Sequence, residues 1–387
     1  VSLYAKDANS KIDNIEIENN IKIEHENDRL DRFRKEYNKI IEDSAKSSNG
    51  IKQEKYITVT VTKKSLEEAR TTIRRIAVEL NKHFKKLNST CTELDANERL
   101  KLLHNFYRQG EESSFNFDMI DNMRKGHSFK DYICPDSMEF KKNSFKIGEK
   151  FGRVLFLKEY ASFIKDSMIS ELTDISKNLV LSIDILPVPT DEAIKEAENR
   201  LLGIETNIAN HVRKQAENNN FLASIPYDLE QQQEAKEFLN DLMTRDQRMF
   251  LAIITIVVTA DTEKELENIT EAITTTARKN LCQLGILSFQ QLDGLNTALP
   301  IANNKIDILR TLTTESLAVF LPFKVQEVQH TNGIYYGQNA ISKNMILLDR
   351  KKLLNGNSFI LGVSGSGKSF TAKQEISSIM LKEKDAD

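Results

Sequence analysis

The chain has 387 residues, room for two or three domains. Its 40% hydrophobic and 29% charged residues suit an ordinary folded protein and exclude a disordered chain or a bundle of membrane spans. A net charge of −3 excludes a global basic field of the kind that binds nucleic acid in bulk.

The first 45 residues are strongly charged, and a helix is expected over about 27–43. Ser47, Ser48, Asn49 and Gly50 mark a turn or linker within 45–52. Residues 56–62 (YITVTVT) alternate apolar and hydroxyl side chains at period two, the pattern of a strand with one buried face. A helix is expected next over 65–87, where Leu66, Ala69, Ile73, Ile76, Ala77 and Leu80 recur at helical spacing. Residues 97–150 begin with a helix over 97–107 and then turn loop-rich around Gly110, Gly126 and Pro135; this stretch reads as a packed α+β connection. Residues 179–186 form a second expected strand, closed by Pro187 and Pro189. Its helix starts near Thr190, Asp191 and Glu192 and runs to about Asn218. A third strand is expected over 249–259, and a helix beginning at Asp261, Thr262 and Glu263 is expected to reach Leu284. Beyond Leu284 short strands are expected at 316–320, 333–336, 345–349 and 358–361, punctuated by Pro322, Gly333, Gly337 and the Asn355, Gly356, Asn357 turn.

Three strand–helix units of this kind imply an α/β or α+β domain with helices packed on a sheet. The domain boundary is placed near residue 315, giving an assembly and partner-contact domain over 1–315 and a second domain over 316–387. Cys91, Cys134 and Cys282 are far apart and odd in number, and show no ligand spacing. The six histidines show no HExxH pattern. A disulfide framework or a zinc site is therefore not expected, and a reducing compartment fits. The longest apolar run, around 250–258, is far shorter than the roughly 20 residues a bilayer span requires.

One motif carries chemistry. Gly362, Val363, Ser364, Gly365, Ser366, Gly367, Lys368 and Ser369 match GxxxxGK[ST] in full. Small residues let successive backbone amides curl around the β- and γ-phosphates of a nucleotide. The helix that follows aims its free amides and positive dipole end at the same anion. Lys368 is the candidate catalytic residue, its ammonium placed on the β/γ oxygens, and the Ser369 hydroxyl is the candidate magnesium ligand. ATP and Mg are the cofactors this implies. A chance match at average composition has a probability on the order of one per cent over a chain this long. Context sharpens it further: Phe359, Ile360 and Leu361 precede the loop, and Ala372, Ile376, Ile379 and Met380 follow at helical spacing. A working NTPase also needs an acid at the end of a second core strand to hold magnesium and polarise water. No apolar run ending in Asp or Glu follows Ser369. The chain reads as a piece open at both ends, cut just after the loop, and is expected to hydrolyse ATP negligibly alone.

Further stretches add a likeness. They are QEKYI (53–57), ERLKLLH (98–104), KDYICPDS (130–137), IPYDL (225–229), RDQRMF (245–250) and GIYYGQN (333–339), and NGNSFILG (355–362) leads into the loop. In this order they resemble the type IV secretion and conjugation ATPases, the VirB-four/TraE-like family, in the form carried by conjugative elements of Gram-positive bacteria. The resemblance implies an N-terminal α/β domain leading into a RecA-like motor domain, with ATP hydrolysis energising assembly of a secretion channel or translocation through it. It further implies a cytoplasmic protein, peripheral at the cell membrane, whose partners are other channel subunits at the inner membrane. Homo-oligomers, hexamers in the active state, would place ATP between subunits. Direct nucleic-acid binding is left open.

Two other readings stand beside this one: another P-loop machine such as a coupling protein or DNA translocase, and a docking module in which residues 1–315 bind channel components without chemistry. Tyr335 and Tyr336 could stack on an adenine but read as strand-edge packing. Arg245 and Arg248 read as helix-surface ion-pairing residues, the pairs Arg74–Arg75, Lys85–Lys86 and Lys141–Lys142 as solvated faces, and Asp184 as a satisfied structural carboxylate.

Overall fold

The computed structural model describes residues 2–7, 31–47, 51–87, 89–118, 120, 124–159, 168–173, 175, 178–218, 225–245, 247–320, 328–330, 332–340, 344–353 and 355–382. The elements in chain order are β1 (Ser2–Asp7), α1 (Asp31–Ser47), β2 (Ile51–Tyr56), α2 (Leu66–Lys86), α3 (Ala96–Tyr107), β3 (Met138–Phe140), β4 (Phe145–Ile147), β5 (Lys150–Glu159) and α4 (Met168–Thr173). There follow β6 (Leu179–Pro187), α5 (Thr190–Asn218), α6 (Ile225–Thr244), β7 (Met249–Ala260), α7 (Glu263–Lys279), β8 (Gln283–Ile286) and α8 (Gln291–Ala298). The last are β9 (Arg310–Thr313), α9 (Thr314–Ala318), β10 (Ile334–Gln338), β11 (Met345–Leu348) and α10 (Lys368–Lys382). The class is mixed α/β. The chain divides into two compact units, one of residues 1–3, 55–168 and 180–321, the other of residues 4–54, 169–179 and 322–387.

In the first unit β6, β7, β5, β4 and β3 lie side by side in that order, with β8 also on β5 and β9 also on β7. The registers of β3 with β4, β4 with β5, β5 with β7, β5 with β8 and β7 with β9 are all antiparallel. β7 is apolar without alternation, and Ile253, Ile254, Ile256, Val257 and Val258 are all at most 1% exposed. That pattern belongs to a strand covered on both faces. α7 packs on β7, β8 and β5. Its spacing puts Leu266, Ile269, Ile273 and Ala277 on one buried stripe. α8 packs on β7 and β5, and its Gly294 lets the helix come close: a Cβ there would lie 2.5 Å from Leu287 Cδ1 and 2.9 Å from Val154 Cγ1. The neighbouring Gln291 is buried and serves the sheet directly. Its Oε1 accepts from the Val154 amide at 2.8 Å and its Nε2 donates to Leu287 O at 2.8 Å. Arg153 of β5 clasps α7, with Nη2 donating to Glu267 Oε1 at 2.6 Å and Nη1 to Glu267 Oε2 at 3.0 Å. α5 and α6 pack on each other, with Ala193, Ala197 and Leu242 joined by Met249 at the start of β7.

Helix starts follow local chemistry. The Ser65 hydroxyl accepts from the Glu68 amide at 3.2 Å, and Asp95 and Glu98 form a reciprocal capping box. Thr262 accepts from the Glu265 amide at 3.2 Å.

Several expected boundaries are corrected. The strand expected at 56–62 lies upstream, as β2. Residues 57–63 carry no ladder, and the Thr58 hydroxyl donates instead to Pro300 O at 3.4 Å. The helix expected to reach Leu284 stops at Lys279, because Leu281 takes a left-handed φ of 57° and the Cys282 amide turns back to Ala277 O at 3.0 Å. Leu284 then pairs with Leu157 as part of β8. The strand expected at 316–320 is replaced by α9, whose start is fixed by the Thr313 hydroxyl accepting from the Ser316 amide at 3.2 Å. The linker expected at 45–52 shrinks, since α1 runs to Ser47 and β2 begins at Ile51. Residues 27–30 of the expected first helix and 48–50 of that linker lie outside the described residues.

Candidate nucleotide-binding site

The second unit is built around α1, the β10–β11 hairpin and α10. Ile41 of α1 is fully buried with Met345 and Leu347 of β11, and Tyr37 and Tyr335 pack against them. α10 lies against β10 and α1. Its C-terminal carbonyls, which have no partner within the helix, receive outside donors. Arg34 Nε of α1 donates to Leu381 O at 3.3 Å. At the same end Lys382 Nζ donates to Asn332 O and Gly333 O. Burial pushes the Tyr37 phenol up from its ordinary range, opposed by hydrogen bonds from the Tyr335 backbone and the Ser378 side chain. The far end of α10, by contrast, begins at Lys368, directly after the exposed loop.

The eight residues of the motif form one loop ahead of that helix. Gly365 and Gly367 have φ of +81° and +88°, which side chains rarely adopt, so glycine is required there by conformation. Gly362 sits close under the turn: a Cβ there would lie 2.4 Å from Ser366 Oγ, so the serine hydroxyl would have to rotate away. The Ser366 amide donates to Val363 O at 3.3 Å, closing the turn, and the Thr371 amide donates to Gly367 O at 2.9 Å, starting the helix. Lys368 folds back over the loop: its Nζ donates to Gly362 O at 2.7 Å and to Val363 O at 2.8 Å. The structure therefore brings Gly362, Val363, Ser364, Gly365, Ser366, Gly367, Lys368 and Ser369 together in one exposed turn, with Lys368 half-buried. Helix-start amides, loop amides and one ammonium converge there, a donor set suited to a polyphosphate. Ser369 lies exposed on the first turn of α10. Among the described residues no group of three or more His, Cys, Asp or Glu side chains is arranged to hold a metal.

A second cluster, which sequence reading missed, lies behind the loop. Arg350, just after β11, forms an ion pair with Glu375 of α10, and the Tyr336 hydroxyl meets the same carboxylate. Arg350 Nε donates to Tyr336 Oη at 3.1 Å, Nη2 to Ser358 Oγ at 2.7 Å and Nη1 to Gly356 O at 3.4 Å. Burial raises the Tyr336 phenol, and its hydrogen bond to Glu375 raises it further, while Arg350 opposes both. No spacing rule joins residues 336, 350, 358 and 375. The nearest signal is that Glu375 lies seven residues after Lys368, two turns along the same helix face.

The strand expected at 358–361 is corrected. These residues form no ladder, and Phe359 and Leu361 are 90% and 89% exposed. The apolar run has no described strand edge beside it, and a strand needs one to satisfy its backbone. Other singled-out residues have local roles. Arg245 pairs with Asp241 one turn back at 3.3 Å, while Arg248 lies past the helix, where its amide donates to Thr314 Oγ1 at 3.0 Å. Tyr335 belongs to the Ile41 cluster. Asp184 accepts from Ser182 Oγ at 3.2 Å, and burial pushes its carboxyl above the usual range. All three cysteines are free. No described helix is long and apolar enough to cross a membrane. Comparison with protein-family models and with curated proteins finds no match to this chain.

Proposed function

We propose that this chain binds ATP with magnesium at residues 362–369, as the nucleotide-binding part of a P-loop ATPase of the type IV secretion and conjugation kind. The observation that carries this reading is the loop itself. Two glycines hold left-handed turns, Lys368 reaches 2.7 Å and 2.8 Å to the loop carbonyls, and a 15-residue helix starts immediately behind. The Lys368 ammonium has two neutral carbonyl partners that phosphate oxygens would replace with stronger, charge-assisted ones. The exposed amides of the loop would take the remaining oxygens, and the α10 dipole favours negative charge at that end. Ser369 would hold the magnesium ion, which supplies charge neutralisation at the phosphates. Under this reading the RecA-like continuation, the homo-oligomer and the channel subunits at the membrane are the partners that turn binding into work. The secretion assignment rests on the order of the resembling stretches alone.

The test is titration of the full chain with a fluorescent ATP analogue in the presence and absence of magnesium. Lys368→Ala should weaken binding by about 10- to 100-fold, the loss of one charge-assisted contact or more. Ser369→Ala should remove chiefly the magnesium dependence. Failure of the unaltered chain to bind MgATP at millimolar concentration would sink the proposal, as would a Lys368→Ala chain that binds equally well.

A further inference from the structure

We propose that Arg350 is a positioning residue for the phosphate loop: one guanidinium staples together the two segments that flank it. This deepens the nucleotide-binding reading and rests on it for its effect on affinity.

The chain entering the loop, residues 355–361, has no ladder and is exposed. Its tie to the rest of the unit runs through Ser358 Oγ, 2.7 Å from Arg350 Nη2, and Gly356 O, 3.4 Å from Nη1. The segment leaving the loop is α10, and it is held by the Arg350–Glu375 ion pair, in which Glu375 is 11% exposed and Arg350 29%. Both flanks thus meet on one planar group. A third direction is fixed by Tyr336 Oη, which accepts from Nε at 3.1 Å and also meets the Glu375 carboxylate. Planarity matters, because a guanidinium presents five donors in a fixed fork, whereas an ammonium is a point charge that cannot face these partners in one geometry. The span between Ser358 and Glu375 contains the whole motif. Fixing its two ends shortens the set of shapes the loop samples, and a loop already near its phosphate-binding shape loses less freedom on binding.

The experiment uses the full chain in three forms: unaltered, Arg350→Lys and Arg350→Ala. Two quantities are read, hydrogen exchange of peptides covering 355–367 without nucleotide, and affinity for MgATP. Arg350→Lys keeps a cation beside Glu375 but should speed exchange in 355–367 and lower MgATP affinity by about tenfold, with peptides of β10 and β11 unchanged. Arg350→Ala should do the same more strongly. A merely structural role would instead loosen β10 and β11 together with the loop. The proposal is overturned if Arg350→Lys leaves both exchange and affinity as they were, or if β10 and β11 loosen to the same degree. If the unaltered chain does not bind MgATP, the nucleotide reading fails, and loop exchange by itself still decides whether the staple exists.

Discussion

Two apolar runs of this chain meet opposite fates. The core of β7 reads Leu251, Ala252, Ile253, Ile254, Thr255, Ile256, and from Ala252 on each of these is at most 1% exposed. The run ahead of the phosphate loop reads Phe359, Ile360, Leu361, Gly362, Val363, and Phe359, Leu361 and Val363 are 78% exposed or more. By composition both are strands. β7 becomes one because β5 and β9 pair with it in register and α7 and α8 cover it. The second run has no such neighbours among the described residues, so its backbone forms no ladder and its side chains bury little. An apolar sequence thus states a capacity for burial, and the neighbours decide whether it is used.

The largest predicted effect tests this difference directly. Ile256→Ala removes a fully buried side chain and should cost about 2–5 kcal/mol of unfolding free energy. Leu361→Ala removes one that is 89% exposed and should change stability by no more than about 0.5 kcal/mol. Urea unfolding of the two variants against the unaltered chain measures both. A Leu361→Ala loss approaching that of Ile256→Ala would mean that the loop-entry run is covered in solution, and the comparison would collapse.

Legibility in the sequence divides along the same line. β6, β7, α5 and the starts of α2 and α7 were readable, because each depends on contiguous residues: an unbroken apolar run, an apolar stripe at helical spacing, or a capping residue such as Thr262. The motif was readable in all eight residues for the same reason. What escaped depends on distant partners. β5 is the partner of β4, β7 and β8, yet nothing in its own run, which follows a loop-rich stretch, says which strands will pair with it. The end of α7 is set by Leu281 in a left-handed conformation, for which a leucine gives no warning. α8 is short and begins at Gln291, whose side chain spends itself on Val154 and Leu287. The Arg350 staple joins four separate positions, and nothing local announces it.

A smaller effect should come from the clasp between β5 and α7. Arg153 is 7% exposed and Glu267 61%, so the carboxylate is largely in water while its partner is not. Hydrogen bonding to Arg153 is the main cause that holds the Glu267 carboxyl below its usual range. A carboxyl lowered by folding contributes stability above its unfolded pKa and loses it as pH falls through the folded value. Glu267→Gln should therefore cost about 1 kcal/mol at neutral pH, limited by solvent screening. The gap from the unaltered chain should close on acidification through and below the ordinary glutamate range. Denaturation midpoints at neutral and acid pH decide it, and a gap that stays constant with pH would show that the pair acts by packing rather than charge.

The smallest effect has the opposite sign. Asp184 sits half-buried on β6, and burial raises its carboxyl. A carboxyl raised by folding contributes stability below its unfolded pKa, and that contribution is lost as pH climbs through the folded value. At neutral pH the unaltered chain thus carries the cost of a charge withdrawn from water, offset in part by the hydrogen bond from Ser182 among other attractions. Asp184→Asn removes the charge and keeps an acceptor for that hydroxyl. It should stabilise the chain at neutral pH by no more than about 0.5 kcal/mol, with the gain vanishing in acid. Where Ile256→Ala tests what apolar burial gives the first unit, Asp184→Asn tests what polar burial costs it. A loss of stability at neutral pH would mean that the carboxylate is held by an attraction stronger than its desolvation, and Asp184 would then be a residue kept charged for use.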